Sequence, residues 1–250
     1  MINLDGLGIE VKGWGQGSTR CPIVLLHEGL GSVSTWRDFP EALAESTGRR
    51  VLAYSRFGNG QSDPPPAPHT VEFMHDEARL LPAVLDAAGI DRAHLLGHSD
   101  GGSIALLVAA AHPDRVETLL LEAPHVFVED ISVASIERRA TEYRETNLRS
   151  RLARHHRHVD LAFSGWADVW LDPSFRTWNI EAFLLSISCP ILLIQGEEDD
   201  YGTLRQLEAI EQHVSGPVDR LVLQDCRHSP HRDQRDLVLG AMRTFLSGRV

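Results

Sequence analysis

LLGHSDGGSI, residues 95–104, places one serine, Ser99, between Gly97 and Gly101 at the point where an apolar run gives way to small residues. Ala93–His98 reads as a buried strand and Asp100–Ala111 as a helix. A GxSxG match alone is only suggestive, because Gly and Ser are both common. At a strand-to-helix junction it carries more: the glycines let strand and helix approach closely, and the strained turn lifts the serine hydroxyl clear of the sheet.

Outward from this turn, short β-rich runs alternate with segments of helical period. Strands are expected at Ile9–Trp14, Pro22–Leu26, Arg50–Tyr54, Val116–Leu121, Pro190–Gln195 and Arg220–Gln224, and helices at Trp36–Glu45, Val71–Ala88, Leu204–His213 and Arg232–Leu246. That alternation predicts an α/β protein with a mostly parallel sheet and helices on both faces. SDPPPAPH, residues 62–69, neither propagates a helix nor pairs in a central strand, so it is a stiff surface connection. Between residues 122 and 188 Arg-rich, Trp-containing helical stretches replace the rhythm, which predicts a helical lid inserted in a core made of 1–121 and 189–250.

A chain of 250 residues with a 42% hydrophobic fraction can bury one large core. Its formal charge of -11 argues against nucleic acid, whose phosphates need a basic stripe. Lys12 is the single lysine, leaving little room for Schiff-base chemistry. Cys21, Cys189 and Cys226 are widely spaced and odd in number, so small buried residues are expected rather than a disulfide scaffold. Met1–Glu10 lacks a basic start followed by an apolar stretch, and no run of about 18 apolar residues occurs. The expectation is a cytoplasmic protein with no membrane partner, and no interface pattern sets an oligomeric state.

A serine hydroxyl is a poor nucleophile at neutral pH unless an imidazole takes its proton and a carboxylate orients that imidazole. PILLIQGEEDD delivers Glu197, Glu198, Asp199 and Asp200 to the end of one strand, and RLVLQDCRHSPH places His228 after the last. The chain order is then Ser, Asp, His, each after a different strand. The tetrahedral intermediate also needs prearranged donors, one of them the backbone N–H of Asp100 at the helix start.

Along nearly its whole length the chain resembles the α/β-hydrolase fold family, through LLHEGLGS (25–32), RFGNGQSD (56–63), GHSDGG (97–102) and the pair GEED (196–199) and RHSPH (227–231). Its GxSDGG elbow is similar to that of biphenyl-hydrolase-like esterases. The resemblance implies Asp199 as the acid, the fourth position of a GxxD turn, with Glu122 the alternative that some relatives use and Asp200 and Glu198 adjoining. It implies His228 as the base, with His231 the alternative. It also implies a second oxyanion donor from His27-Glu28-Gly29, where relatives usually read His-Gly: the amide of Gly29, with Leu30 next in line.

Ser99 points to acyl transfer to water, so the expected function is a serine hydrolase cleaving a carboxylic ester of a small molecule, with no cofactor. Two other readings stand beside it. One is C–C hydrolysis of a vinylogous diketone; the other is a non-catalytic ligand-binding member of the fold. Asp100 and Glu28 either act as a helix cap and a hydrogen-bonded support, or together favour a substrate bearing an amine. Trp166 and Trp170, at i, i+4 spacing, line a substrate pocket or form the lid's own core, with Trp178 nearby. RHHRH, residues 154–158, reads as a solvated basic face rather than a metal site.

Overall fold

The computed structural model describes residues 1–248, so the last two positions of the expected core segment 189–250 lie outside the described residues. In chain order the elements are β1 (Ile2–Leu4), β2 (Leu7–Ile9), β3 (Val11–Trp14), β4 (Ile23–Leu26), α1 (Phe39–Thr47), β5 (Val51–Tyr54), α2 (Phe73–Ala87), β6 (Ala93–His98), α3 (Asp100–Ala111) and β7 (Val116–Glu122). There follow α4 (Asp130–Glu145), α5 (Leu148–Leu152), α6 (Val159–Trp170), α7 (Glu181–Leu184), β8 (Ile191–Gly196), α8 (Arg205–His213), β9 (Val218–Leu223), α9 (Pro230–Asp233) and α10 (Arg235–Leu246).

Seven strands form one sheet in the order β3-β5-β4-β6-β7-β8-β9, and β1 and β2 pair separately as a hairpin. Only β3 runs antiparallel to its neighbour; every other pair in the large sheet is parallel. The strand residues alternate between two cores. Val24, Leu26, Leu95 and Leu121 face the side covered by α2 and α3, where Leu81, Leu85, Ile104 and Leu107 meet them. Ile23, Leu25, Leu96 and Leu120 face the other side, against Leu43, Met242 and Phe245 of α1 and α10. Burial on both faces explains why these strands read as continuous apolar runs, and each fully buried Leu or Ile contributes roughly 2 kcal/mol.

Among the element boundaries that differ from the sequence expectation, three have a clear local reason. The helix expected from Trp36 starts at Phe39 because Arg37 takes φ 56 between a 3-10 turn at Val33–Trp36 and α1. The strand expected over Ile9–Trp14 is divided, since Ile9 ends the hairpin and β3 begins at Val11. The helix expected over Arg232–Leu246 is two helices, broken at Gln234 with φ -133 and ψ 48. Cys226 is buried, whereas Cys21 and Cys189 are only half-buried, and all three are free thiols. Among the described residues no helix is long and apolar enough to cross a membrane.

Because the central strands are parallel, the loops after β4, β6, β7, β8 and β9 all leave at one sheet edge, the usual location of α/β ligand sites. Four helices, α4 to α7, lie between β7 and β8. Phe163, Trp166, Trp170 and Trp178 from this region are buried in one continuous cluster with the α2–α3 face of the sheet.

Candidate active site

The turn after β6 is as tight as its glycines suggest. Ser99 sits at φ 54 and ψ -121, a left-handed conformation that costs on the order of 1–3 kcal/mol for a residue other than glycine. Its amide is tied to the carbonyl of Glu122 at 2.9 Å. A β-carbon built on Gly97 would lie 2.3 Å from the Gly101 carbonyl oxygen, and one on Gly101 would lie 2.1 Å from that of Leu26. Both positions therefore demand glycine for close approach of strand and helix.

Three sequence-distant side chains meet at this turn. His228 Nε2 lies 2.9 Å from Ser99 Oγ, and His228 Nδ1 lies 2.8 Å from Asp199 Oδ1. With a carboxylate accepting at Nδ1, that nitrogen carries the hydrogen and Nε2 presents its lone pair to the serine hydroxyl. Asp199 is held in turn: its Oδ1 accepts from the amides of Tyr201 at 2.8 Å and Gly202 at 3.3 Å, and its Oδ2 from Gln195 Nε2 at 3.2 Å. The loops carrying Asp199 and His228 touch closely, since a β-carbon on Gly196 would sit 2.0 Å from the Cys226 carbonyl oxygen.

Burial pulls the His228 pKa down, but the Asp199 carboxylate at Nδ1, with Glu28 and Asp200 farther off, raises it above the ordinary histidine value. For Asp199, burial works upward, yet the His228 ring and the Tyr201 amide hold its carboxyl below the ordinary range.

The remaining carboxylates are committed elsewhere. Glu122 Oε2 receives His231 Nδ1 at 2.7 Å and the His231 amide at 3.1 Å, so both form a separate buried pair. Asp200 pairs with Arg227 at 2.9 Å. Glu198 is exposed.

Ser99 and His228 open onto a cavity of about 370 Å³ whose walls include Glu28, Gly29, Asp100, Trp166, Trp170 and Tyr201. The Leu30 amide donates to Glu28 Oε2 at 3.0 Å, while among the described residues the amides of Gly29 and Asp100 have no protein acceptor. The Glu28 carboxylate thus shapes the loop as well as lining the cavity. Asp100 does not cap its helix. Its Oδ1 accepts from Trp170 Nε1 at 3.2 Å and its buried Oδ2 has no hydrogen-bond partner among the described residues; burial, aided by Glu28 against the nearby Arg56, pushes its pKa up to about 6. Trp166 and Trp170 line the cavity and also lie in the buried apolar cluster.

The sequence reading of RHHRH as a solvated face is corrected at its centre. His156 is 3% exposed; its Nδ1 accepts from the Gly60 amide at 3.0 Å and its Nε2 donates to the Leu30 carbonyl at 3.0 Å, a strut between the inserted helices and the Glu28 loop. Among the described residues no cluster of His, Cys, Asp or Glu is arranged to hold a metal ion.

Three residues at the site went unread in the sequence. Tyr201 packs against His228 with ring centroids 4.5 Å apart and the planes tilted by 32°. His125 packs between Trp170 and His228, and burial together with His228 lowers its pKa to about 4, keeping it neutral. His98 Nε2 donates to the His228 carbonyl at 2.6 Å. Each directly follows, ends or nearly follows a strand at the same edge, and that topological position was the available signal.

Comparison with known proteins agrees with this architecture. The family described as alpha/beta hydrolase fold matches residues 22–158. A Caulobacter segnis protein provisionally named carbamate hydrolase RutD is 37% identical over 121 residues, 47% of this chain and 43% of that one. A proline iminopeptidase of Lactobacillus delbrueckii subsp. bulgaricus is 33% identical over 111 residues, 44% of this chain and 38% of that one. The match thus spans less than half the length of these curated relatives. Among solved structures, the enol-lactonase of Burkholderia xenovorans LB400 superposes with a TM-score of 0.76 at 21% identity, covering 97% of this chain and 98% of that one.

Proposed function

The chain belongs to the alpha/beta hydrolase fold family, and from that premise we propose that it is a serine hydrolase cleaving a carboxylic ester of a small molecule through an acyl-enzyme intermediate. The observation that carries this reading is the unbroken line Asp199 Oδ1, His228 Nδ1, His228 Nε2, Ser99 Oγ, with both links under 3 Å. A pure binding protein has no use for that line.

In the first half-reaction Ser99 Oγ bonds to the ester carbonyl carbon as its proton passes to His228 Nε2. The carbonyl oxygen becomes an anion facing the free amides of Gly29 and Asp100, the second at the N-terminus of α3 where the helix dipole adds to the field. Collapse breaks the C–O bond, and His228 returns the proton to the departing alkoxide. Water then attacks the acyl-enzyme, gives a proton to His228, and the acid leaves as Ser99 is reprotonated. Asp199 stays ionised and holds the imidazole in one tautomer.

The helices between β7 and β8 act as the lid, the segment 122–188 whose first residue, Glu122, also completes β7. A second reading of the substrate rests on Asp100: its buried, unpartnered Oδ2 beside Glu28 suits a substrate amine. The similarity of the GxSDGG elbow to biphenyl-hydrolase-like esterases belongs to the same reading.

A fluorophosphonate probe tests the enzyme claim: labelling is expected on native protein and absent in Ser99→Ala. Failure of the native protein to label ends it. A panel of p-nitrophenyl esters, amino-acid esters and a ring-cleavage diketone separates ester from C–C hydrolysis, and equal rates for an amino-acid ester and its des-amino analogue would remove the amine.

A further inference from the structure

Behind the main cavity the protein is not solid. The cavity shares Gly29 and Trp166 with a chamber of about 10 Å³, roughly the room one water molecule needs. That chamber shares His69, Leu161 and Gly165 with an outer cleft of about 220 Å³, opening between the proline-rich connection and α6. Main cavity, chamber and cleft lie in series, and at each junction stands an aromatic ring resting on a glycine. A β-carbon on Gly29 would lie 2.2 Å from the Trp166 ring, and one on Gly165 would lie 2.7 Å from the His69 ring.

We propose that this series is a closed extension of the acyl subsite, with Trp166 as its inner gate and His69 as its outer gate, so that Trp166 sets the longest acyl chain the enzyme accepts. The inference rests on the hydrolase reading. In that reading the leaving group must face His228 Nε2 to be protonated, which directs it toward the side of the cavity formed by Arg227, Ser229 and Arg232. The carbonyl oxygen lies at the Gly29 amide, and the acyl chain extends from that carbon past Gly29 to the Trp166 ring.

The chamber beyond has an apolar part. Phe57, Phe73 and Leu161 supply apolar wall. Of its polar residues, Arg56 donates through Nη1 and Nη2 to the carbonyls of His27 and Glu28 at 2.6 and 2.9 Å, and Asn59 through Nδ2 to that of Gly31 at 3.1 Å. A chain entering there leaves these three bonds in place.

Two gates in series make a signature that simple enlargement of a pocket does not. With p-nitrophenyl esters graded from acetate to dodecanoate, native protein favours short chains. Trp166→Ala raises the ratio of medium-chain to acetate kcat/KM by at least about tenfold, the range a few methylenes command. His69→Ala alone leaves the cutoff where it was, because Trp166 still closes the inner junction. The double variant extends it again, to the longest esters, so the two effects are not additive. Trp166→Leu repeats the series should the alanine variant fold poorly.

The same ordering is expected without turnover. In a Ser99→Ala background, melting-temperature shifts by saturated carboxylates of graded length should lengthen their optimum with Trp166→Ala and again with the double change. A protein that fails to label with fluorophosphonate yet shows this ordering loses the hydrolase reading and keeps the passage. A cutoff moved by His69→Ala alone, or one identical in Trp166→Ala and the double variant, overturns the passage.

Discussion

Glu122 and His231 form a buried carboxylate–imidazole pair, Oε2 to Nδ1 at 2.7 Å, next to the pair made by Asp199 and His228. His98 stands between the two histidines, with ring centroids 5.1 Å from His231 and 5.2 Å from His228. Glu122 also holds the Ser99 amide through its carbonyl, so it braces the loop that follows His228 and the nucleophile turn together.

The two acids should therefore fail differently. Asp199→Asn leaves the amide bonds of Tyr201 and Gly202 an oxygen to find but destroys the tautomer, and kcat should fall about 10⁴-fold with little loss of stability. Glu122→Ala removes the only hydrogen-bond partner the His231 ring has among the described residues and should cost about 3 kcal/mol in urea unfolding, with a much smaller fall in kcat. Comparable kcat losses in both would contradict the assignment of the acid.

His228 accepts a proton only when neutral, and its pKa lies above the ordinary 6.5 because the Asp199 carboxylate outweighs burial. On acidification kcat/KM should begin to fall above that value, and in Asp199→Asn the limb should move to lower pH. The sign for stability is opposite in use: protonated His228 stabilises the fold fully below the unfolded pKa, and this is lost as pH rises through the folded value. A pH–rate profile of both proteins checks the first statement.

Asp100 carries a cost that its position explains. Its pKa rises from 3.8 to about 6, so the ionised form is disfavoured in the fold by about 3 kcal/mol. Stability should drop as pH climbs from the unfolded value through the folded one and stay lowered above it. Asp100→Asn keeps the amide of the oxyanion site and should unfold at higher urea than the parent at about pH 8, with little difference at about pH 4. No gain at the higher pH would show that Asp100 is compensated.

Gly29→Ala tests the second oxyanion donor. The added methyl meets the Trp166 ring, so either ring or loop must shift, and displacement of the amide should lower kcat for a short ester by about 10²-fold with melting temperature changed little. Unchanged kcat would move the donor elsewhere.

The elbow was legible because Gly97, Ser99 and Gly101 are close in sequence and the crowding at Gly97 comes from the helix that follows it, although that at Gly101 comes from Leu26 of the neighbouring strand. The alternation of strands and helices was legible for a similar reason, since burial on two faces leaves apolar runs and burial on one face leaves helical period. Chain order put a carboxylate and an imidazole after later strands.

What the sequence by itself determined, then, was the α/β architecture, the tight Ser99 turn and the short set of carboxylates, imidazoles and amides gathered at one sheet edge. Only the tertiary structure decided the pairings: Asp199 with His228 and Glu122 with His231, the Leu30 amide given to Glu28 while that of Gly29 stays free, Asp100 turned to Trp170 instead of its own helix, and His156 buried as a strut. The longer pairings join residues 29 to 126 apart in the chain, and at the Glu28 loop the neighbouring amides of Gly29 and Leu30 compete. Local propensity is silent on both, because the outcome follows from how parallel strands in fixed register bring their carboxyl ends together.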